Sequence, residues 1–222
     1  MPDARPISTG SKLRSFELED VSGRRVSIPQ AQGQRPVLVH LQFRRFAGCP
    51  VCNLHLRSFA RRQRELEAAL VCEVVLFHST ADELRRHAAD FPFAIVADPG
   101  KRLYAEFGVT SSPRALLDPR AWLPILRAIA FTLVGVLAGK VRAPGANPHG
   151  GRLGLPADFL IAPDGPMDGR VIASKHGAHV DDHWSVDDVL AHARAWHDQQ
   201  AAPSKCAPAQ PSAGGRPSVF TR

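Results

Sequence analysis

The hydrophobic period of the chain changes between Pro36 and Leu70. Val37 to Phe43 is an apolar, β-branched run of strand length. After a short loop, Leu56, Phe59, Leu66 and Leu70 recur at helical spacing, with Arg57, Arg61 and Arg64 off their face. A buried strand feeding a helix is expected here. Upstream, residues 13–18 (L-R-S-F-E-L) and 24–28 (R-R-V-S-I) read as two short strands around a polar, glycine-containing turn, an N-terminal β-hairpin. Downstream, Cys72 to His78 has the length and apolarity of a buried parallel strand. Thr80 and Glu83 form a capping box for a helix, and Phe93 to Asp98 reads as a further strand. K-R-L-Y-A-E-F is a short helix stopped by Gly108. Strand and helix alternate, which predicts an α/β fold with parallel strands and helices on both faces.

The alternation breaks over residues 109–155. This stretch holds a long apolar run, Ala121 to Gly139, and then a loop rich in glycine and proline. The run approaches the length of a membrane span. It also contains Pro124, Arg127, Thr132 and two glycines. A mid-span arginine costs about 2.5 to 3.5 kcal/mol, which favours a helix packed on the domain or buried in a homodimer over a spanning one. Contact with a membrane surface or an oily substrate is the sharper alternative. The pattern resumes with a strand at Asp158–Ala162, a turn, and an antiparallel partner at Arg170–Ser174. Ser185 and Asp188 cap a last helix with Val186, Val189, Leu190, Ala193 and Trp196 on one face. These elements make one domain over residues 1–200, with 109–155 as an apolar helical insertion. The Ala-, Pro- and Ser-rich tail, 201–222, is expected to be disordered, and Cys206 within it incidental.

Charge changes this picture little. The 222 residues carry 28 Lys+Arg against 21 Asp+Glu, a net +7, with 44% hydrophobic residues. The arginines are scattered, and aromatic residues are not interleaved with them, so no nucleic-acid partner is expected. The first ten residues lack an apolar signal core, and four cysteines do not make a disulfide framework, so a cytoplasmic protein is expected.

The candidate chemistry sits where the central strand meets its helix. The loop carries C-P-V-C, Cys49 and Cys52, with Pro50 suited to the first helical turn. A thiol at a helix start feels unpaired backbone N–H groups and the positive end of the helix dipole, which favour its thiolate. Two cysteines at this spacing can close a small disulfide ring. A zinc site would need a second spaced pair, and Cys72 and Cys206 stand singly, so redox chemistry is expected and no metal or other cofactor. Cys72 reads as core packing. H-G-A-H-V-D-D-H, with His176, His179, Asp181, Asp182 and His183, fits no single regular face and reads as a solvated loop. His40 reads as a satisfied core histidine.

The order β-α-β-α-β-α, an excursion, then β-β-α, with C-x-x-C at the first long helix, resembles the thioredoxin fold: a central mixed sheet flanked by helices. F-R-R-F-A-G-C-P-V-C-N-L-H-L, D-P-G-K-R-L-Y-A-E-F-G-V and G-G-R-L-G-L-P-A-D-F-L-I-A-P-D-G narrow the resemblance further. They are similar to the peroxiredoxin-like branch of the alkyl hydroperoxide reductase/thiol-specific antioxidant (AhpC/TSA) superfamily, in its C-x-x-C-bearing group. The resemblance spans roughly residues 10–198. It implies an antioxidant redox enzyme that cycles a Cys49–Cys52 dithiol and disulfide, reduces peroxides or disulfides, and is re-reduced by a thioredoxin- or glutathione-type thiol system. The sequence departs from the family at two places. Cys49 stands where peroxiredoxins have a threonine, if Cys52 is the peroxidatic cysteine. Pro156 stands near the position of the family's arginine and resembles the cis-proline of thioredoxins. Arg44, Arg45 or Arg114 would then supply the missing charge. Cys49, nearer the helix start, is the expected nucleophile for disulfide exchange, and Cys52 by resemblance for peroxide; the sequence leaves both open. A rival class is a redox sensor or adaptor that binds a partner through the apolar insertion.

Overall fold

The computed structural model describes residues 7–201 except 33, 34, 89, 113–116, 140, 141, 144, 146, 147, 149 and 166. The tail beyond Ala201, with Cys206, and Arg114 lie outside the described residues.

The first strand stretch is two strands. β1 (Lys12–Arg14) and β2 (Phe16–Glu19) part at Ser15, and only β2 pairs with β3 (Arg25–Ile28) as a hairpin. β1 lies instead against β9 (Asp168–His176). The interruption lets one stretch serve two sheets. β4 (Gln30–Gln32), which has too few residues to show a period, pairs antiparallel with the start of β5 (Arg35–Arg44). Then follow α1 (Pro50–Arg61), α2 (Gln63–Ala68), β6 (Val71–Phe77), α3 (Ala81–His87), β7 (Ala94–Ala97) and α4 (Arg102–Glu106). α5 (Pro119–Leu137), β8 (Ala157–Pro163) and α6 (Val186–Ala201) complete the chain. The helix expected to run on to Leu70 breaks at Arg62, whose φ of −106° and ψ of 19° end α1 and start α2.

The main sheet runs β1-β9-β8-β5-β6-β7, with β4 beside β5. β5, β6 and β7 are parallel; β8 runs antiparallel to β5, and β9 to β8. This is a mixed sheet, and its alternation sorts the core. Val39, Leu41, Phe43, Val74, Leu76, Phe159 and Ile161 pack with α4 and the β2–β3 hairpin. Leu38, Val75, Phe77, Leu160 and Ala162 pack with Leu56, Phe59, Leu66, Val189 and Ala193 from α1, α2 and α6. The second layer is where polar side chains intrude. On β5 the same face as Leu38 carries His40, Gln42 and Arg44, and all three are buried.

The insertion leaves and returns through a short antiparallel stem. Ser112 N–H donates to Leu153 O at 2.8 Å, and Leu155 N–H to Thr110 O at 3.1 Å. Asp118 caps α5 by accepting from Arg120 N–H at 2.9 Å, with Pro119 in the first turn. α5 packs on α1 through a narrow strip, Ala121, Ala128 and Thr132, while most of its large apolar side chains face outward.

Candidate active site

Arg44 ends β5, and the chain then turns sharply through Gly48, whose φ of 76° is a left-handed value that suits glycine. Cys49 is the N-cap of α1 and Pro50 opens its first turn. Both cysteines, with Cys72, are free thiols. The Cys49 and Cys52 side chains hydrogen-bond each other. Cys49 Sγ also accepts from Cys52 N–H at 3.4 Å and from Arg45 Nη2 at 3.0 Å. Arg45 is itself held by Arg152 O, 3.1 Å from its Nη1, and lies against the Phe46 ring.

The two thiols share a buried place beside two arginines. Burial works against a thiolate at Cys52, but the Cys49 hydrogen bond, the Arg45 guanidinium, the Arg45 backbone N–H and the charge of Arg44 outweigh it; the thiol is brought down to about 5. At Cys49 burial and the hydrogen bond it gives to Cys52 push the thiol well above its ordinary value. The two shifts favour the thiolate at Cys52 over one at Cys49. The expected exposure of Cys49 is not found: it is 0% exposed and Cys52 4%. Arg45, which donates to Cys49 Sγ, is itself packed against the returning stem. A Cβ on Gly154 would stand 3.4 Å from Arg45 Cγ and 3.2 Å from His78 Nε2.

Beneath the cysteines lies a layer of buried polar groups. Arg44 Nη2 donates to Asp158 Oδ1 at 2.6 Å, to Gln42 Oε1 at 2.6 Å and to His55 Nε2 at 3.0 Å. His40 bridges Glu73 Oε2 at 2.7 Å and Asp158 Oδ1 at 3.2 Å. Burial disfavours its charged ring, yet Glu73 and Asp158 overcome this and push His40 up to about 9. Burial likewise opposes the Asp158 carboxylate, which Arg44 and His40 hold well below the usual range. His55 goes the other way: burial, then the charges of His183, Arg44 and His40, drive it well down, so it is a neutral acceptor. Its ring lies 3.6 Å from that of His183.

Cys49, Cys52, Pro50, Arg44 and Arg45 are thus gathered at one place. Pro156 stands at the start of β8, just past the Phe43–Ala157 pair, where its carbonyl accepts from Gly177 N–H at 2.9 Å. Leu155–Pro156 is not cis; the cis bond among the described residues is Ile28–Pro29. The trans form is the ordinary state of an X-Pro bond, and a strand-edge proline needs no other. Cys72 is partly buried against the opposite core layer, and burial followed by the charge of Glu73 raises its thiol to about 11. Among the described residues no group of three or more His, Cys, Asp or Glu is set to hold a metal. Gln42 and Glu73 lie in no motif, and His55, Asp158 and His183 lie in stretches that point to other residues or to a solvated loop. The period-2 alternation of β5 could have flagged Gln42, because it places Gln42 beside His40 and Arg44 on one buried face.

A pocket of about 410 Å³ opens beside the cysteine loop, between it and α5. Arg45, Phe46, Pro50 and Val51 line one side, and Ile125, Ile129, Thr132, Leu133 and Val136 the other.

A fold of this shape is shared by known proteins. Peroxidoxin BcpB from Mycobacterium tuberculosis aligns with a TM-score of 0.54 at 17% identity, over 85% of this chain and 97% of that one. The reduced 2-Cys peroxiredoxin of Plasmodium vivax aligns with a TM-score of 0.59 at 13% identity, over 92% and 90%. A cysteine-to-serine mutant of peroxiredoxin Q from Xanthomonas campestris aligns with a TM-score of 0.52 at 14% identity, over 82% and 91%. No curated protein matches the chain. The AhpC/TSA family model matches residues 9–168, well over half the chain. On that match the protein belongs to the AhpC/TSA family, and it is a thiol-dependent oxidoreductase of peroxiredoxin type.

Proposed function

We propose that Cys52 is the peroxidatic cysteine of a thiol peroxidase and Cys49 the cysteine that resolves it, with an organic hydroperoxide as substrate. The Cys52 thiolate attacks the distal peroxide oxygen. An S–O bond forms, the O–O bond breaks, and the alkoxide leaves as an alcohol on taking a proton. Cys52 is oxidised to a sulfenic acid. The Cys49 sulfur then attacks the Cys52 sulfur, water leaves, and a Cys49–Cys52 disulfide forms. An external dithiol of thioredoxin or glutathione type reduces it by exchange, which suits a reducing, cytoplasmic setting. Arg45 and Arg44 favour the thiolate, and Arg45 also lines the pocket the peroxide would enter.

The single observation behind this reading is the place of Arg45 at the pair: its Nη2 lies 3.0 Å from Cys49 Sγ, and its charge with the Cys49 hydrogen bond favours the thiolate at Cys52. Burial supports a peroxide over a protein disulfide. Disulfide exchange needs a sulfur that another protein's disulfide can approach, and Cys49 is fully covered. The apolar wall of the pocket supports an organic rather than an inorganic peroxide.

The test is a trapping experiment. Cys49→Ser and Cys52→Ser are treated with one equivalent of cumene hydroperoxide and then with dimedone. The expected result is a dimedone adduct on Cys52 in Cys49→Ser and none in Cys52→Ser. An adduct on Cys49 in Cys52→Ser, formed as fast as the first, would reverse the assignment.

A further inference from the structure

We infer that α5 lies flat on an anionic lipid surface, with its outer apolar side in the boundary between headgroups and acyl chains. The helix is turned inside out relative to the surface helix of a soluble domain. The side held by α1 is small: Ala121, Ala128 and Thr132 are its buried residues. The large residues face away. Leu123, Leu126, Val134 and Leu137 are 77%, 65%, 67% and 79% exposed. The helix is long and apolar enough to cross a membrane by length and composition, yet almost none of its apolar surface is covered. A contiguous apolar face of this kind marks an interaction site.

Charge selects the occupant. No Asp or Glu occurs between Asp118 and Asp158, while Arg120, Arg127, Lys140, Arg142 and Arg152 do. By helical spacing Arg120 and Arg127 fall on the shoulder of the outer face, where long stems let guanidinium groups reach phosphate while the backbone stays lower. A second copy of α5 would meet these cations with cations and offer no carboxylate. A helical seam would also need only a narrow stripe, Leu123, Leu126, Ala130, Leu133 and Leu137. Here Trp122 and Val134 widen the apolar arc on both sides. A spanning arrangement would strip α5 from α1 and bury Arg127 mid-helix. A broad apolar arc flanked by cations, with Trp122 near one end, suits an interfacial helix.

The full chain is spun with vesicles of phosphatidylcholine and phosphatidylglycerol, and with vesicles of phosphatidylcholine alone. Cosedimentation with the anionic vesicles is expected, weaker with the neutral ones and falling as salt rises. Arg127→Gln should lower the partition coefficient about fivefold, the effect of one cation at an anionic surface. Leu126→Ser with Leu137→Ser should lower it more than about tenfold. Both variants should keep the wild-type Tm, since these side chains are exposed. Four results would overturn the inference. They are no binding to anionic vesicles, binding indifferent to the double substitution, a soluble dimer that the double substitution splits, and retention through an alkaline carbonate wash, which marks a spanning helix.

Discussion

The charge on Cys52 comes from neighbours that can be removed one at a time. Arg45 is the nearest full charge acting on the pair. In Arg45→Met the Cys52 thiol should rise by about one to three pH units, the usual effect of an adjacent opposite charge. The pH dependence of alkylation by iodoacetamide reads this directly; an unshifted profile would remove Arg45 from the account. Part of this arrangement was legible in the residues alone. A glycine, a cysteine and a proline before a helical period announce a thiol at a helix start. Which cysteine carries the charge was not legible. It depends on where the Arg45 side chain and backbone N–H point after the turn at Gly48, and spacing carries no such directions. The meeting of His55 and His183 was hidden for a similar reason, and His183, expected in a solvated loop, has a side chain only 13% exposed. They meet ring to ring from distant parts of the chain, with no shared motif.

Among the elements, β5 does the most. It is buried on both faces, so its polar residues are satisfied by one another and by partners on β6, β8 and α1. Arg44 and Asp158 form a fully buried ion pair, 1% and 0% exposed. Arg44→Ala leaves a buried carboxylate without its cation and should cost about 3–5 kcal/mol in urea unfolding. Charge linkage makes a second prediction. His40 is raised in the fold from 6.5 to about 9, so its contribution is complete below 6.5 and is lost as pH rises through 9. Cys52 is lowered from 9 to about 5, so its contribution is complete above 9 and is lost as pH falls through 5. Between 6.5 and 9 the two slopes oppose each other. The wild type should be nearly flat there, while Cys52→Ser should lose stability as pH rises. Unfolding midpoints at pH 6.5 and 9 check this, and a Cys52→Ser variant as flat as the wild type would contradict it. That buried parallel strands run here was foreseeable from the apolar runs at Val37–Phe43 and Cys72–His78; the place of β8 beside β5 was not. The break at Arg62 was hidden because the apolar period continues across it and only backbone angles divide the helices. The split at Ser15 left a signal, the change of parity between Leu13 and Phe16 with Leu18.

At the scale of the molecule, the insertion places one wall of a pocket against the cysteine loop. That wall is apolar, and it should favour organic hydroperoxides. The ratio of kcat/KM for cumene hydroperoxide to that for hydrogen peroxide should exceed one and should fall about tenfold in Ile129→Ser. A ratio that does not move would detach the pocket from substrate choice. The helix itself was plain in the run Ala121–Gly139, but its outward face was not. Composition tells that a helix is apolar, and only packing tells which side α1 covers. All of this rests on Cys52 being an acidic thiol that meets the peroxide first. The most direct test is the rate of the first oxidation of the wild-type protein by cumene hydroperoxide, followed by stopped flow across pH. The account predicts a rate that is level at neutral pH and falls with a midpoint near 5. A midpoint at the ordinary thiol value near 9, or equal reactivity in Cys52→Ser, would contradict it.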